Sequence, residues 1–272
     1  MIIDMHTHVD SEKEVQSLLT SMKKNKIEKA CIIYWHFGKT SDPHEKIWSL
    51  HELIDAVSSY PNLFVIGSMK ITDKKNYSKN LKEIESLLKT KKIIGIKFYL
   101  GYEHYFANDE RADPLYRLCL KYDVPAIFHT GDNWITPKTT NALVRYANPI
   151  YIDDVAVKYP DLKIIICHLG NPWVNEAAIL IAKHKNVYGD VSGLLSYGDS
   201  NDIFSRMDNE IIRQKVIELI AWCHTPRKLV FGTDFDIYPQ KDYIDFVNSL
   251  PNLSKEDKEF IFFKNAQMLF RI

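Results

Sequence analysis

The sequence predicts an α/β protein, a (β/α)8 TIM barrel with an additional C-terminal helix, formed as a single domain by residues 1–272. Short apolar runs rich in β-branched residues recur along the chain, and amphipathic helical patterns separate them. The runs are apolar almost throughout, as in 164–167, which is typical of parallel strands covered on both faces. A doubly wound open sheet is the alternative, but no glycine-rich dinucleotide fingerprint or phosphate loop favours it. Eight such strands in a chain of 272 residues favour the barrel.

The predicted strands are the apolar runs, each of which ends at a loop. They cover residues 2–8, 29–35, 63–69, 93–100, 124–131, 162–170, 187–193 and 229–235. Strand therefore alternates with helix from one end of the chain to the other.

The predicted helices lie between these strands or follow the last of them. The first is predicted over 11–26, where Ser11 and Glu14 have the spacing of a capping box. Its apolar residues fall on one helical face: Val15, Leu18, Leu19 and Met22. Further helices are predicted over 79–89, 211–222 and 255–269.

The composition excludes several classes of protein. Lysine and arginine total 35, as do aspartate and glutamate, so no net field favours nucleic acid or an anionic membrane as a partner. The four cysteines form no Cys-x-x-Cys pair, which favours buried reduced thiols over a disulfide framework or structural zinc site. No signal-peptide pattern or membrane-spanning run is present. We therefore expect a soluble, cytoplasmic protein.

Polar side chains with metal-binding chemistry follow four of the predicted strands. His6 and His8 end the first strand, His129 the fifth, His168 the sixth and Asp234 the eighth. Because side chains at i and i+2 share a face of a strand, His6 and His8 present two imidazoles together. A barrel collects the carboxyl ends of its strands at one face, and imidazole with carboxylate suits a divalent metal such as zinc. The alternatives are histidines satisfied in the core and an aspartate that caps a helix.

A second group of residues near the strand ends fits a substrate pocket. Lys97 lies in the fourth strand, and Tyr99, two residues on, faces the same way and nearer the mouth. Trp134 and Trp173 follow the fifth and sixth strands, which predicts aromatic walls for a planar or ring-containing substrate. A structural role is the alternative for each, and for Lys97 it is an ion pair with Asp4 in the lower barrel.

Taken in order, these motifs resemble the amidohydrolase superfamily, and within it the amidohydrolase-related branch of metal-dependent hydrolases and decarboxylases. The resemblance covers essentially the whole chain. It is carried by Asp-Met-His-Thr-His at 4–8, Gly-Ile-Lys-Phe-Tyr at 95–99, Val-Pro-Ala-Ile-Phe-His-Thr-Gly at 124–131, His-Leu-Gly-Asn-Pro-Trp at 168–173 and Phe-Gly-Thr-Asp at 231–234. Asn-Val-Tyr at 186–188 and Asn-Ala at 265–266 also fit.

The resemblance implies a ligand set and a division of roles. His6, His8, His129 and Asp234 would hold a divalent metal, most simply one Zn2+, while Asp234 also serves as the general base. His168 would polarise the substrate as a second catalytic residue, or bind a second metal. If the Lys97 amine is carboxylated it would bridge two metals, and otherwise it stays a cation that faces a substrate carboxylate.

The expected function is a metal-dependent hydrolase that cleaves a C–N or C–O bond in a small substrate such as an amide, a lactone or a related ester. Non-oxidative decarboxylation or hydration of an aromatic or unsaturated acid on the same site is the alternative. A phosphodiester nuclease is disfavoured because such relatives have glutamate where this chain has Lys97, and a catalytically inactive barrel because the ligand positions are filled. A homodimer is expected only by analogy with the fold.

Overall fold

The fold is seen in a computed structural model that describes residues 1–37, 47–134, 136, 139–195, 203–235 and 237–272. All eight predicted strands are confirmed, each shorter than its apolar run because residues at one or both ends of the run lie in the adjoining loops. The strands are β1 (Ile3–Thr7), β2 (Lys29–Ile33), β3 (Leu63–Ile66), β4 (Ile96–Phe98), β5 (Ala126–Phe128), β6 (Ile164–Ile166), β7 (Val187–Asp190) and β8 (Leu229–Val230).

Helices follow the strands in the order that the sequence predicts. They are α1 (Glu12–Asn25), α2 (Leu50–Val57), α3 (Tyr77–Lys89), α4 (Asp113–Tyr122), α5 (Ile152–Lys158), α6 (Val174–Lys183), α7 (Ile203–Cys223), α8 (Gln240–Ser249), α9 (Lys255–Glu259) and α10 (Asn265–Phe270). Helix α1 begins after Ser11, whose hydroxyl accepts the Glu14 N–H at 3.3 Å. The predicted helix 255–269 is interrupted: a π-helical turn, Phe260–Lys264, joins α9 to α10.

The strands pair in parallel as two sheets, β1-β2-β3 and β4-β5-β6-β7-β8. Backbone hydrogen bonds join these sheets at both seams. At one seam, Lys97 N–H donates to Gly67 O at 2.8 Å; at the other, Met5 N–H donates to Phe231 O at 3.0 Å and Asp234 N–H to His6 O at 2.8 Å. The eight strands therefore follow one another around a barrel, and their carboxyl ends meet at one face.

Two apolar layers support the face of the barrel at which the carboxyl ends of the strands meet. Alternate strand residues point inward and fill the barrel with Ile3, Met5, Cys31, Ile33, Ile66, Ile127 and Ile165. The other strand residues point outward toward the helices, so that Ile32 of β2 and Leu18 of α1 belong to one apolar cluster. The described residues include no helix long and apolar enough to cross a membrane.

Candidate active site

His6, His8 and Asp234 converge at the carboxyl ends of β1 and β8. The Nε2 atoms of His6 and His8 lie 3.4 and 3.3 Å from Asp234 Oδ1. The three ligand atoms all fall within 4.8 Å of one another. Two imidazole nitrogens and one carboxylate oxygen form a donor set that zinc and similar divalent metals accept, with coordination positions left over for substrate or water.

The hydrogen bonds behind the two imidazoles leave the correct atoms free for a metal. His8 Nδ1 lies 2.9 Å from Ile33 O, and because a carbonyl only accepts, Nδ1 carries the proton and Nε2 the lone pair. His6 Nδ1 lies 2.6 Å from the carboxylate of Asp190, which is equally an acceptor when ionised. Both Nε2 lone pairs can therefore face Asp234, so the residues fit a divalent metal.

Protonation in the site also matches metal ligation. Burial lowers the pKa of His6 well below its ordinary value, and the neighbouring Lys97 lowers it further, so the imidazole is neutral near pH 7. Burial alone would raise the pKa of Asp234, but its interactions with the neighbouring His6 and His8 outweigh burial and hold that pKa well below its ordinary range. Neutral imidazole and ionised carboxylate are the forms that bind metal.

His129 and His168 reach the same cavity but lie outside this three-residue cluster. The His168 ring is 5.0 Å from the ring of His6 and 5.0 Å from that of His129. His129 Nε2 donates to Asp132 O at 2.9 Å, which leaves Nδ1 as the ring's only lone-pair nitrogen. The structure thus brings all five predicted strand-end residues to one cavity, with His129 and His168 adjacent to the converging atoms.

A second possible cluster, His6 with Cys167 and Asp190, is a poorer metal site although its ligand atoms also lie within 4.8 Å. Burial raises the pKa of the Cys167 thiol, so it stays protonated. Lys97 Nζ donates a hydrogen bond to that sulfur at 3.0 Å, and His6 Nδ1 and Asp190 Oδ2 are already hydrogen-bonded to each other at 2.6 Å. These contacts assign His6 Nδ1 to hydrogen bonding rather than to ligation.

Lys97 is buried with its ammonium directed at the candidate metal site. Its side chain is 2% exposed, and Nζ lies 3.3 Å from His6 Nε2. Within the described part of the chain, no ion pair joins it to a carboxylate. The alternative role in an ion pair with Asp4 is wrong, because Asp4 instead accepts from Thr233 Oγ1 at 2.7 Å and Gln240 Nε2 at 2.8 Å.

The candidate site opens into a cavity of about 610 Å3 with aromatic walls. Tyr99 and Trp134 belong to these walls, as predicted. The Tyr102 hydroxyl accepts a hydrogen bond from the backbone N–H of Trp134 at 2.6 Å. Trp173 does not line the cavity. Its backbone N–H donates to Gly170 O at 2.7 Å, in the turn before α6. The lining residues are His6, His8, Trp35, Lys97, Tyr99, Tyr102, His129, Asp132, Trp134, His168, Asn171, Gly193, Asp234, Ile237 and Tyr238.

The end of β7 contributes residues that the sequence analysis did not single out. Asp190 and Ser192 contact the site histidines from behind, and Gly193 lines the cavity. Gly193 has φ +61°, and a Cβ there would lie 2.5 Å from His168 Nδ1, so only glycine fits. A polar Asp-Val-Ser-Gly sequence directly after an apolar strand was the available signal.

A family model described as Amidohydrolase matches residues 78–272 of this chain. The match begins within α3, so it includes His129, His168 and Asp234 but not His6 and His8. Among curated proteins, protein fluG of Emericella nidulans is 25% identical over 118 residues. That region is 43% of this chain and 12% of fluG, so the chain spans a small part of that relative's length.

Solved structures with this fold include both hydrolases and decarboxylases. A probable 2-pyrone-4,6-dicarboxylic acid hydrolase from Acinetobacter baumannii, with citric acid bound, has TM-score 0.69 and 17% identity, covering 100% of this chain and 99% of its own. An amidohydrolase from Burkholderia multivorans with bound zinc has TM-score 0.71 and 14% identity at 100% and 99% coverage. The 5-carboxyvanillate decarboxylase of Sphingomonas paucimobilis has 0.67 and 12%, also at 100% and 99%. At these identities the similarity shows the fold.

Proposed function

The chain belongs to the amidohydrolase family, and from that premise we propose that it is a metal-dependent hydrolase of a small, carboxylated or ring-containing substrate. The bond cleaved would be C–N or C–O, in an amide, a lactone or a related ester. The observation that carries the proposal is the convergence of His6 Nε2, His8 Nε2 and Asp234 Oδ1 at one end of the aromatic cavity.

The metal, most simply one Zn2+, would be held by His6, His8 and Asp234, with His129 as the fourth ligand. When bound, it would supply Lewis-acid chemistry that polarises the scissile group and acidifies water. Support for zinc comes from this donor set and from the zinc in the Burkholderia multivorans amidohydrolase. A second metal belongs to the proposal only if the Lys97 amine is carboxylated.

Two side chains are proposed to move or stabilise charge during hydrolysis. The Asp234 carboxylate, ionised near pH 7 because its pKa is held low, would accept a proton from the attacking water and return it to the leaving group. His168 has Nδ1 engaged by Ser192 O at 2.9 Å, so its Nε2 remains available to the substrate. Because Nδ1 already carries the proton, Nε2 would have to be protonated as well, and the resulting imidazolium would stabilise the oxygen that becomes negative as the bond breaks.

Substrate recognition is assigned to Lys97, Tyr99 and Trp134. A buried ammonium without a carboxylate among the described residues is matched by an anionic substrate group, so Lys97 would bind a substrate carboxylate. Tyr99 and Trp134 would pack against the ring or chain that carries it. Trp173, outside the cavity lining, is not part of this proposal.

Decarboxylation of an aromatic or unsaturated acid is the second candidate. The position of Lys97 supports decarboxylation as strongly as it supports hydrolysis, because in either reaction its ammonium would hold a substrate carboxylate beside the proposed metal ligands. The decarboxylase of Sphingomonas paucimobilis has the same fold. The two reactions differ in whether the substrate presents a carbonyl or a carboxylated carbon to the metal.

The test is a screen of the Zn2+-loaded protein against carboxylated lactones, amides and carboxylated aromatics, followed by liquid chromatography. Hydrolysis of a carboxylated lactone or amide is the expected result, and Lys97→Met should raise KM by at least about tenfold on the loss of a charge-assisted hydrogen bond. An uncharged ester analogue is the matched control, for which KM should stay within about twofold. Release of carbon dioxide without hydrolysis would replace the proposal with its alternative, and no turnover of any class would contradict both.

A further inference from the structure

Strand β7 ends in a buried polar turn, Asp190 to Ser192, that contacts both His6 and His168. Asp190 and Ser192 are each 0% exposed, and neither lines the cavity. The Ser192 N–H donates to Asp190 Oδ1 at 2.5 Å, which ties the two residues together. Because neither residue lines the cavity, neither can contact a substrate directly. Any effect of these buried polar groups on the site must act through the residues to which they are hydrogen-bonded.

On the His6 side, the turn fixes the tautomer of the ring. Asp190 Oδ2 lies 2.6 Å from His6 Nδ1, and Ser192 Oγ lies 2.8 Å from the same nitrogen. The Nδ1 proton therefore points at Asp190 and the Nε2 lone pair points away from it. Lys97 supports this assignment independently, since its ammonium has only donors and lies 3.3 Å from His6 Nε2, which must then accept.

On the His168 side, the backbone of the same turn has the same effect. Ser192 O lies 2.9 Å from His168 Nδ1, and a carbonyl can only accept, so this nitrogen is also protonated. Ser192 Oγ is a further 3.1 Å contact to His168 Nδ1. His168 has φ 57°, a left-handed conformation that needs support from its surroundings, and Gly193 approaches the same Nδ1 so closely that a Cβ there would lie 2.5 Å from it.

We propose that Asp190 and Ser192 form a positioning pair that sets one tautomer, Nδ1–H, on His6 and His168 together, and so directs both Nε2 atoms into the cavity. This inference rests on the proposed function, because it assigns His6 to the metal and His168 to the substrate. Neither residue of the pair is catalytic; each acts through a histidine. A hydroxyl shared between the two rings also couples the placement of the metal ligand to that of the catalytic histidine.

Asp190→Asn tests the pair with a change of one atom. An amide at this position can donate to His6 Nδ1 and so admit the Nε2–H tautomer, which has no lone pair for a metal. We expect Zn2+ affinity, measured by competition with a chromophoric chelator at one fixed pH, to fall by about 10- to 100-fold. Ser192→Ala keeps the carboxylate and should lose less than Asp190→Asn.

Glu103→Gln is the matched control, since it makes the same chemical change in a buried side chain whose carboxylate contacts Thr72 and His36 instead. Its Zn2+ affinity should stay within about twofold of the wild type. Equal affinity of Asp190→Asn and the wild type would overturn the positioning role. A wild type that binds no Zn2+ would instead overturn the proposed function.

A measurement on the unmodified protein covers the case in which Asp190→Asn does not fold. The 15N chemical shifts of His6 and His168 in the metal-free wild type should report protonated Nδ1 and unprotonated Nε2 for both rings. The Nε2–H form on His6 would overturn the proposal whatever the variants do.

Discussion

At the scale of single residues, Asp234 is held in place through both its backbone and its carboxylate. It has φ 63°, and its N–H donates to His6 O at 2.8 Å, so its backbone is tied to the strand that carries the other ligands. Its carboxylate faces His6 and His8 through a single oxygen, Oδ1. In the proposed site, this placement would make Asp234 both a metal ligand and the nearest base.

Asp234→Asn should abolish most turnover while part of the metal affinity remains. The amide cannot accept a proton in catalysis, so kcat should fall by about 10²- to 10⁴-fold. His6 and His8 still offer two lone pairs, so metal should be retained in part. Steady-state kinetics normalised to bound metal would check this, and unchanged turnover would remove Asp234 from the role of base.

The convergence of side chains at the strand ends could be predicted from sequence wherever strand periodicity determines the direction in which each side chain points. His6 and His8 are adjacent by the i and i+2 rule, and their meeting with Asp234 follows from barrel geometry. The sequence Asp-Val-Ser-Gly marks polar residues at the end of β7, but the role of Asp190 could not be predicted, because it depends on a contact with a residue 184 positions away. The position of Trp173 was not predictable for a different reason: the local turn before α6, in which its backbone N–H donates to Gly170 O, keeps it out of the cavity lining.

At the scale of elements, the loops after β2, β3 and β4 are joined behind the aromatic wall by Glu103. Its Oε2 accepts the N–H and the hydroxyl of Thr72, each at 2.9 Å. Its Oε1 lies 3.8 Å from His36 Nε2, and burial lowers the pKa of His36 to about 3. In front of them, the rings of Trp35 and Tyr102 are 4.9 Å apart in the cavity wall.

Glu103 should make the stability of this region fall as the pH rises. Burial raises the pKa of Glu103 above its ordinary value of 4.5, so the unfolded chain loses this proton at a lower pH than the native protein does. The native state then binds more protons than the unfolded state, and the free energy of unfolding falls from pH 4.5 up to the raised pKa. Above that pKa the loss is complete.

Glu103→Gln should remove this contribution, because glutamine does not titrate. The difference in unfolding free energy, wild type minus variant, should therefore become more negative as pH rises from about 4.5. Urea denaturation of both proteins at several pH values, in the presence of a chelator, measures it. A difference that is constant with pH would show that Glu103 has an ordinary pKa.

At the scale of the whole molecule, the seam between β1 and β8 is closed by Asp4. Its carboxylate accepts from the N–H of Thr233 at 3.1 Å and from the Thr233 hydroxyl at 2.7 Å, and Gln240 donates at 2.8 Å. All of these residues are fully buried. The network links the first strand, the residue before Asp234 and the start of α8. It therefore closes the barrel at this seam and fixes the position of the candidate site.

Asp4→Ala should destabilise the barrel more than Asp4→Asn does. Alanine leaves buried donors of Thr233 and Gln240 without acceptors, which we expect to cost about 2–4 kcal/mol of unfolding free energy. Asparagine should cost less unfolding free energy, because the Thr233 hydroxyl can rotate and the Gln240 amide can flip, so that both accept hydrogen bonds from the new amide group. Urea denaturation would check the order, and equal stability of the two variants would contradict it.

The overall architecture was predictable because strand and helix periods alternate clearly along the chain. The seams were not, since they depend on isolated bridges such as Thr7 to Phe235 rather than on long strand runs. The break in the C-terminal helix was also missed. The apolar stripe of 255–269 gives no sign of the π-helical turn Phe260–Lys264, which changes hydrogen bonding without changing composition.

His6, His8 and Asp234 are proposed to form a metal site, and the metal content of the protein is the decisive test of that assignment. The measurement is elemental analysis of the wild type and of the His6→Ala/His8→Ala double variant, both dialysed against Zn2+ and then against metal-free buffer. We expect about one zinc per chain in the wild type and about none in the double variant. Full occupancy in the double variant, or none in the wild type, would contradict the assignment.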